Sequence, residues 1–473
     1  MSCAMTSGQP IRYLISEPYA LRGWKRLPYA VQNLHTTETR FMGKEAFELL
    51  SSCNGIFPME PQTLENWEKH TLEEWLESGL IRKAEPGEML APEQEYRFFP
   101  ARFKEAVHWS VTGRCNYRCR HCFMSAPHAV QGEPSFEDCV RMLESFQRCG
   151  IRAIHLTGGE PLVRRDFWQL VDEIYAHDMV IAVIYSNGLL VTDEFLDELQ
   201  RRKIRCMFQF SFDGVGYHDW MRGVDGAEKI VIDAMKRCNE RGFPWTASMV
   251  LCKESLGTIR ESAKLLGELG CKALKVGPAS PAGEWLNQPE HFLTIRETFQ
   301  AFLDYIPHYY EDGKPVRIGL EGMFNYEYDK GALAYNEKHI EPEDWPKAVM
   351  CGHVRGSIYV SPQGKVLPCM TFVGTPMEEK FPNMLETPLE EILDESLYMH
   401  MADLRVSDYM DHNPECRTCE YGKFCAGGCR AVAVNQHPDD FLAKDLWSCE
   451  YFKGGWRDKK YTLLRELAEK GYT

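Results

Sequence analysis

Three cysteines crowd the run Cys115-Asn116-Tyr117-Arg118-Cys119-Arg120-His121-Cys122, a C-x3-C-x2-C spacing. Thiolates are soft ligands for iron and zinc, and three on one short loop can wrap a [4Fe–4S] cube while leaving its fourth iron without a protein ligand. An iron left open in this way can chelate an external molecule. Zinc, with His121 or His128 as fourth ligand, is the competing reading of the same loop. Polar turns further along favour a second substrate. Thr157-Gly158-Gly159-Glu160-Pro161 follows an apolar run at 154–156, Tyr185-Ser186-Asn187-Gly188 follows 180–185, and Ser211-Phe212-Asp213-Gly214 closes 206–212. The glycines would let a ligand approach the backbone, Glu160 can accept from an ammonium, and the hydroxyl and carboxylate side chains could hold ribose hydroxyls.

A second array lies toward the C-terminus: Cys351-x12-Gly364-x4-Cys369, then Cys416-x2-Cys419-x5-Cys425-x3-Cys429, then Cys449. Cys416, Cys419, Cys425 and Cys429 could form one four-thiolate zinc site, but that would leave Cys351, Cys369 and Cys449 without a role. The other eight cysteines, Cys3, Cys53, Cys139, Cys149, Cys206, Cys238, Cys252 and Cys271, are scattered and read as small buried hydrophobes.

Composition narrows the function. The 473 residues exceed one ordinary core and point to two or three domains. A formal net charge of −15, from 54 basic and 69 acidic side chains, argues against nucleic acid as a partner. No run has the length of a membrane span, and residues 1–22 lack the basic flank and apolar stretch of a signal peptide, so a cytoplasmic protein is expected. In a reducing compartment, 18 cysteines are better explained by metal ligands than by disulfides.

The elements that must position these groups fall into three segments. In residues 1–100, Phe47, Leu49 and Leu50 precede Cys53-Asn54-Gly55, a helix ending at a glycine. A second helix carries Leu72, Trp75 and Leu76, and Leu80-Ile81 opens a short strand. Helix, helix, strand is the pattern of a winged-helix module, here with an edge strand that could pair with a peptide; the alternative is that Trp75 and the leucines only close the module's own core. From about 105 to 320, six short apolar runs alternate with helical stretches such as 136–149, where Val140, Leu143 and Phe146 repeat at helical spacing. That alternation predicts parallel strands with right-handed crossovers, a partial (β/α)6 barrel with its chemistry at the strand ends. From about 345 to 455 the chain is rich in Cys, Gly and Pro, and its order is expected to come from metal rather than from a large apolar core.

With these motifs in place the chain resembles the radical S-adenosylmethionine superfamily, through Cys115-x3-Cys119-x2-Cys122 and the Gly158-Gly159-Glu160-Pro161 turn. The resemblance implies that the methionine amine and carboxylate of S-adenosylmethionine chelate the open iron, and that Ser211 and Asp213 lie near the ribose. Ser186 and Asn187 join this cofactor-binding set. His121 stands where an aromatic residue commonly packs near the adenine, and its planar ring can do the same. The C-terminal array resembles an iron–sulfur SPASM domain with two auxiliary [4Fe–4S] clusters, three clusters in all. By position, Cys416, Cys419, Cys425 and Cys449 would hold the outer cluster and Cys351, Cys369 and Cys429 the inner one, which is left with an open iron or a borrowed ligand.

The first hundred residues look like the peptide-recognition winged helix that precedes many enzymes modifying ribosomally made peptides. The implied domains are a recognition module and linker at 1–100, a radical S-adenosylmethionine barrel at 101–330, a SPASM domain at 331–455 and a C-terminal helix or tail at 456–473. The implied activity is a peptide maturase forming a thioether, carbon–carbon or carbon–oxygen cross-link in a precursor peptide, reduced by a one-electron donor such as flavodoxin or ferredoxin. Sulfatase maturases share the auxiliary array but often carry Asp where this chain has Met370. They, and small-molecule dehydrogenases, are the alternatives.

Overall fold

The computed structural model describes residues 10–327, 332–333 and 337–472; Cys3 lies outside the described residues. The chain divides into two units, one of 1–105 with 145–152 and 389–394, the other of 106–144, 153–388 and 395–473.

In the first unit, β1 (Tyr13–Ile15), β2 (Tyr19–Lys25), β3 (Leu27–Asn33) and β4 (Thr39–Phe41) precede α1 (Lys44–Ser52), α2 (Asn66–Glu77), β5 (Ile81–Lys83) and β6 (Arg97–Arg102). The helix, helix, strand order matches the sequence reading, whereas the four strands ahead of it, and β6, which begins in the stretch read as linker, were not foreseen. One cause is Arg22. It sits inside β2, buried, with its guanidinium donating to the backbone oxygens of Leu21, Glu93 and Glu95 at 2.8–3.0 Å, and a buried cation spoils the apolar pattern by which strands are found. Strands β4, β3, β2 and β6 form one sheet, and β1 and β5 form a separate antiparallel pair in which Ile15 faces Ile81. β5 is therefore an edge: among the described residues no strand lies on its far side. α2 does not offer Leu72 to a groove. That side chain is fully buried in a core with Tyr13, Leu50, Leu80 and Ile81, and Trp75 and Leu76 pack against it.

In the second unit the six foreseen strands and the foreseen helices are present, and one more strand, β7 (Ala106–Ser110), which was not foreseen, precedes them: β7 and α3 (Phe136–Arg148), β8 (Ala153–Thr157) and α4 (Phe167–Ala176), β9 (Val180–Ser186) and α5 (Asp193–Arg201). After β10 (Met207–Ser211) come a short α6 (His218–Arg222) and α7 (Ala227–Glu240), then β11 (Trp245–Leu251) with α8 (Ile259–Glu268), and β12 (Leu274–Pro278) with α9 (Ile295–Glu311). β13 (Ile318–Leu320) completes the run. The helices form because their apolar residues fall on one face. In α3, Cys139, Met142, Leu143 and Phe146 are all fully buried. Side chains also fix the starts, as in the Thr294/Glu297 capping box of α9.

Strands β7 to β13 pair in sequence order, all parallel. The sheet then extends beyond the barrel. At one end β14 (Phe324–Glu327) and β15 (Ala332–Leu333) add antiparallel, and at the other β16 (Ser357–Val360) pairs parallel to β7 and antiparallel to β17 (Val366–Leu367). The cysteine-rich segment is thus hydrogen-bonded onto the first barrel strand. Beyond β17 it is built of short helices, with a small core that includes Trp345, Met350, Val406 and Tyr409. A helix at Trp456–Glu469 follows. Among the described residues no helix is long and apolar enough to cross a membrane.

The burial of Leu72 gives a direct expectation. Leu72→Ala should destabilise the first unit by about 2–5 kcal/mol. Hydrogen exchange on the full chain should show protection falling at Tyr13–Ile15 and Ile81–Lys83; unchanged protection would place Leu72 outside that core.

Candidate active site

The cysteine loop leaves β7 and folds back over the carboxyl ends of the neighbouring strands. Val111 N donates to Thr157 O at 3.0 Å, Gly159 N to Thr112 O at 2.9 Å and Glu160 N to Arg114 O at 2.9 Å, so the Gly158-Gly159-Glu160 turn lies along the loop. Any Cβ at Gly158 would stand 2.4 Å from Thr112 O, and one at Gly159 would stand 2.3 Å from Arg114 O. The glycines are therefore required first by the approach of the protein's own loop, with any ligand coming second.

Cys115, Cys119 and Cys122 line a cavity of about 550 Å³. Burial pushes the Cys115 thiol up to about 12 and raises those of Cys119 and Cys122, so the thiolates need a compensating positive centre. Each sulfur already has a donor: Tyr117 N lies 3.4 Å and Asn187 Nδ2 3.9 Å from Cys115 Sγ, Arg222 Nη1 3.6 Å from Cys119 Sγ and Ala126 N 3.3 Å from Cys122 Sγ. Three thiols held by N–H donors, around a cavity that can hold more than a single ion, fit the three-thiolate ligand set of an iron–sulfur cube with an open corner.

Glu160 is almost fully buried, and burial raises its carboxyl to about 7 against the hydrogen bonds that favour the charged form. It accepts from Asn187 N at 2.8 Å, Leu162 N at 3.3 Å and Ser186 Oγ at 3.1 Å. Ser186 and Asn187 thus hold Glu160, and Asn187 Nδ2 also reaches Asn116 Oδ1 at 2.7 Å. Pro161 opens the short turn of helix Pro161–Val163 behind it. Ser211 lines the cavity, as do His121, Gly158, Gly159 and Glu160. His121 is kept neutral: burial first, then the Arg222 charge, lowers its ring to about 4. Asp213 is placed differently from its neighbours. It is fully buried behind the wall, its carboxylate 2.6 Å from Arg222 Nε and accepting from Val250 N at 3.1 Å. Arg222 thus links Asp213 to Cys119. Nothing in the local spacing marks it, since it comes from the end of α6, about 100 residues away, which the cysteine loop meets only in the fold.

The cysteine-rich segment closes part of the same cavity, with His353, Tyr359, Cys369, Met370 and Thr371 in its wall. Burial, then the neighbouring Cys429 thiol, pushes Cys369 up to about 12, and Cys351 adds to both. Cys351, Cys369 and Cys429 thus lie within electrostatic reach of one another. Cys416, Cys425 and Cys449 form a second neighbourhood, the Cys449 thiol being raised by burial and by Cys416, and that of Cys425 by burial and by Cys449. Cys419 follows Cys416 in a tight turn, its N donating to Cys416 O. Lys338 lies beside both groups, feeling Cys351, Cys425 and Cys429, with its Nζ 2.6 Å from Met350 O. The scattered cysteines Cys53, Cys139, Cys149, Cys206, Cys238, Cys252 and Cys271 are buried.

Comparison with known proteins agrees with this geometry. The Radical SAM superfamily matches residues 109–266, and the SPASM iron–sulfur cluster-binding domain matches residues 351–420. The AdoMet-dependent heme synthase of Nitratidesulfovibrio vulgaris is 25% identical over 354 residues, covering 73% of this chain and 92% of its own. The PqqA peptide cyclase of Gluconobacter oxydans is 28% identical over 333 residues, covering 68% and 85%. Among solved structures, SuiB of Streptococcus suis bound to the precursor peptide SuiA is 17% identical and aligns with a TM-score of 0.59 over 89% of this chain and 96% of that one, a likeness of fold. A cysteine loop seated on its glycine turn, with a second cysteine array closing the same cavity, is thus matched by family at both places: the chain is an enzyme of the radical S-adenosylmethionine superfamily with a SPASM domain.

Proposed function

We propose that this enzyme matures a ribosomally made precursor peptide by forming an intramolecular cross-link, a thioether or a carbon–carbon or carbon–oxygen bond. The observation that carries the reading is the extent of the fold likeness to SuiB, a protein solved with its precursor peptide bound: it spans 89% of this chain. The peptide cyclase among the relatives supports it. In the first unit, β5 offers an unpaired edge on which the leader part of a peptide could add as a strand. On this reading the domains are the recognition module at 1–100, the barrel at 101–330, the SPASM domain at 331–455 and the terminal helix.

Cys115, Cys119 and Cys122 are assigned to the reactive cluster, Cys416, Cys419, Cys425 and Cys449 to an outer auxiliary cluster, and Cys351, Cys369 and Cys429 to an inner one, three clusters in all. Electrons come from a flavodoxin- or ferredoxin-type donor. Bound to the reduced cluster, S-adenosylmethionine supplies a 5′-deoxyadenosyl radical able to take hydrogen from an unactivated carbon. The protein's own part is to bind and orient. Glu160 receives the methionine ammonium, Ser186 and Asn187 hold that carboxylate, Ser211 and His121 face the nucleoside, and Asp213 acts through Arg222.

Heme synthesis is a second reading, favoured by the heme synthase match. That match leaves about a quarter of this chain without a counterpart, and the peptide cyclase match about a third; the peptide reading gives the first hundred residues a task.

Two expectations follow from these assignments. Glu160→Gln should weaken S-adenosylmethionine binding by about 1.5–3 kcal/mol, roughly ten- to a hundredfold, measured by calorimetry on the reconstituted protein. An ammonium binds the ionised carboxylate, and the resting carboxyl is held near 7 by burial. Affinity should therefore rise as pH goes from about 5 to about 8, with proton release on the acid side, and Glu160→Gln should remove that rise. A pH-independent affinity in the unaltered protein would remove Glu160 from the role.

For the reaction itself, the reduced enzyme should convert a short precursor peptide encoded beside its gene to a product lighter by two hydrogens in high-resolution mass spectrometry. Unchanged mass with deuterium uptake from solvent would mean epimerisation instead. No change in any such peptide, together with a heme absorption band formed from a tetrapyrrole precursor, would favour the second reading.

A further inference from the structure

The inward positions of a (β/α) barrel are ordinarily filled by branched apolar side chains. Here three neighbouring strands, β7, β8 and β9, carry His108, His155 and Tyr185. His108 and Tyr185 line the cavity that the three loop cysteines share, and His155 stands opposite His108 in the strand register. Nδ1 of His155 is 3.2 Å from Nε2 of His108, and the Tyr185 hydroxyl is 3.5 Å from Nδ1 of His108. The two imidazoles meet edge to face, with centroids 4.5 Å apart. Polar groups in a barrel interior are costly unless satisfied, and these satisfy one another in a chain that ends at the cavity.

The protonation states follow from the surroundings. Burial, then the neighbouring imidazoles of His155 and His353, lowers His108 to about 3, and burial with His353 lowers His155 to about 4. Both rings are neutral, and the 3.2 Å contact is a hydrogen bond when one of the two facing nitrogens carries its ring's proton. Burial pushes the Tyr185 phenol up to about 12, so it keeps its hydrogen and can donate to His108 Nδ1.

Four other titratable groups of the cavity have other engagements. Glu160 and His121 belong to the cofactor set, Lys275 is a cation 3.7 Å from the Glu321 carboxylate, and Arg222 is tied to Asp213. Met370, beside Cys369, has no proton-accepting group of this kind.

We propose that Tyr185, His108 and His155 form a proton-transfer chain through which the reacting peptide loses its second hydrogen. Tyr185 is the catalytic group that touches the substrate, and the two histidines are positioning residues that act through it. The proposal rests on the cross-linking reading above. A C–H carbon gives its hydrogen atom to the 5′-deoxyadenosyl radical, forming 5′-deoxyadenosine. The X–H group that will join this carbon passes its proton to the Tyr185 oxygen as Tyr185 releases its own to His108 Nδ1, and His108 hands its Nε2 proton to His155 Nδ1. The electron pair left on X forms the C–X bond with the carbon radical. The surplus electron goes to a one-electron acceptor, an oxidised iron–sulfur cluster. Because neither buried ring holds a positive charge well, the proton is passed on to water rather than stored.

The test uses the holoenzyme, the precursor peptide encoded beside its gene, and added imidazoles of graded basicity. In Tyr185→Phe and His108→Gly, the cross-linked peptide formed per 5′-deoxyadenosine should fall about a hundredfold. Imidazole should restore it in His108→Gly, more so as the basicity of the added imidazole rises, which a packing role would not produce. In the unaltered full chain, 15N-histidine spectra should show His108 as a neutral ring whose shifts change in Tyr185→Phe and His155→Gln. A ratio within twofold of the unaltered enzyme in Tyr185→Phe, a fall in His108→Gly that no imidazole reverses, or a doubly protonated His108 at neutral pH would each overturn the proposal. If His108→Gly loses iron, Tyr185→Phe and the spectra decide. An unaltered enzyme that makes no cross-link while cleaving S-adenosylmethionine would instead overturn the reading beneath it.

Discussion

The backbone contact between the cysteine loop and the Gly158-Gly159 turn is the constraint on which the rest of the site depends. It is made by two N–H donors onto Thr112 O and Arg114 O, at separations no Cβ would allow. With that contact in place, Glu160 is carried beneath the loop into a buried position, and Asn187 N and Ser186 Oγ can both reach it. Asn187 in turn reaches Asn116, within the loop itself. The three loop thiols, the buried carboxylate and the polar end of β9 are thus one hydrogen-bonded body. Moving any part by the width of a methyl group would move the others, which is how binding groups come to be held closely enough for chemistry.

The second dependence is on burial. A cavity that must exclude water from a radical also raises the cost of every charge around it. The site meets that cost in three ways. Asp213 and Arg222 neutralise one another next to Cys119. His108, His121 and His155 remain uncharged. The loop thiols resist ionisation until a metal-bound positive centre joins them. The same logic applies to the C-terminal segment, where the apolar core is small and seven cysteines, none of them fully buried, gather. Folding and metal loading are coupled in such a region.

The barrel was legible in the sequence because its period is simple. Strands such as Val180–Ser186 and helices such as Phe167–Ala176 fall where apolar spacing puts them. The ligand-type residues were legible because Cys spacing is short-range. Contacts that form only in three dimensions were not. Arg222 meets Cys119 across more than a hundred residues, β16 joins β7 across some 250, and the His108–His155 pair needs the register of two strands. β1 and β4 escaped notice because three residues carry little periodic signal, and β2 because a buried arginine breaks its apolar pattern. Ser186 and Asn187, expected in the cofactor-binding set, line the cavity and also hold Glu160, since a polar turn shows that a group is needed without showing what it will touch.

The account stands or falls on whether the loop of Cys115, Cys119 and Cys122 leaves one iron open to the methionine end of S-adenosylmethionine. Electron–nuclear double resonance on the reduced, reconstituted enzyme tests this most directly, using cofactor labelled with 15N at the methionyl amine and 17O at its carboxylate. The account predicts that the cofactor changes the spectrum of one cluster, that both labels couple to it, and that the coupled signal is missing when the three loop cysteines are replaced by alanine while the signals of the C-terminal clusters persist. A cluster spectrum indifferent to the cofactor, or couplings that survive the loss of the loop cysteines, would contradict it.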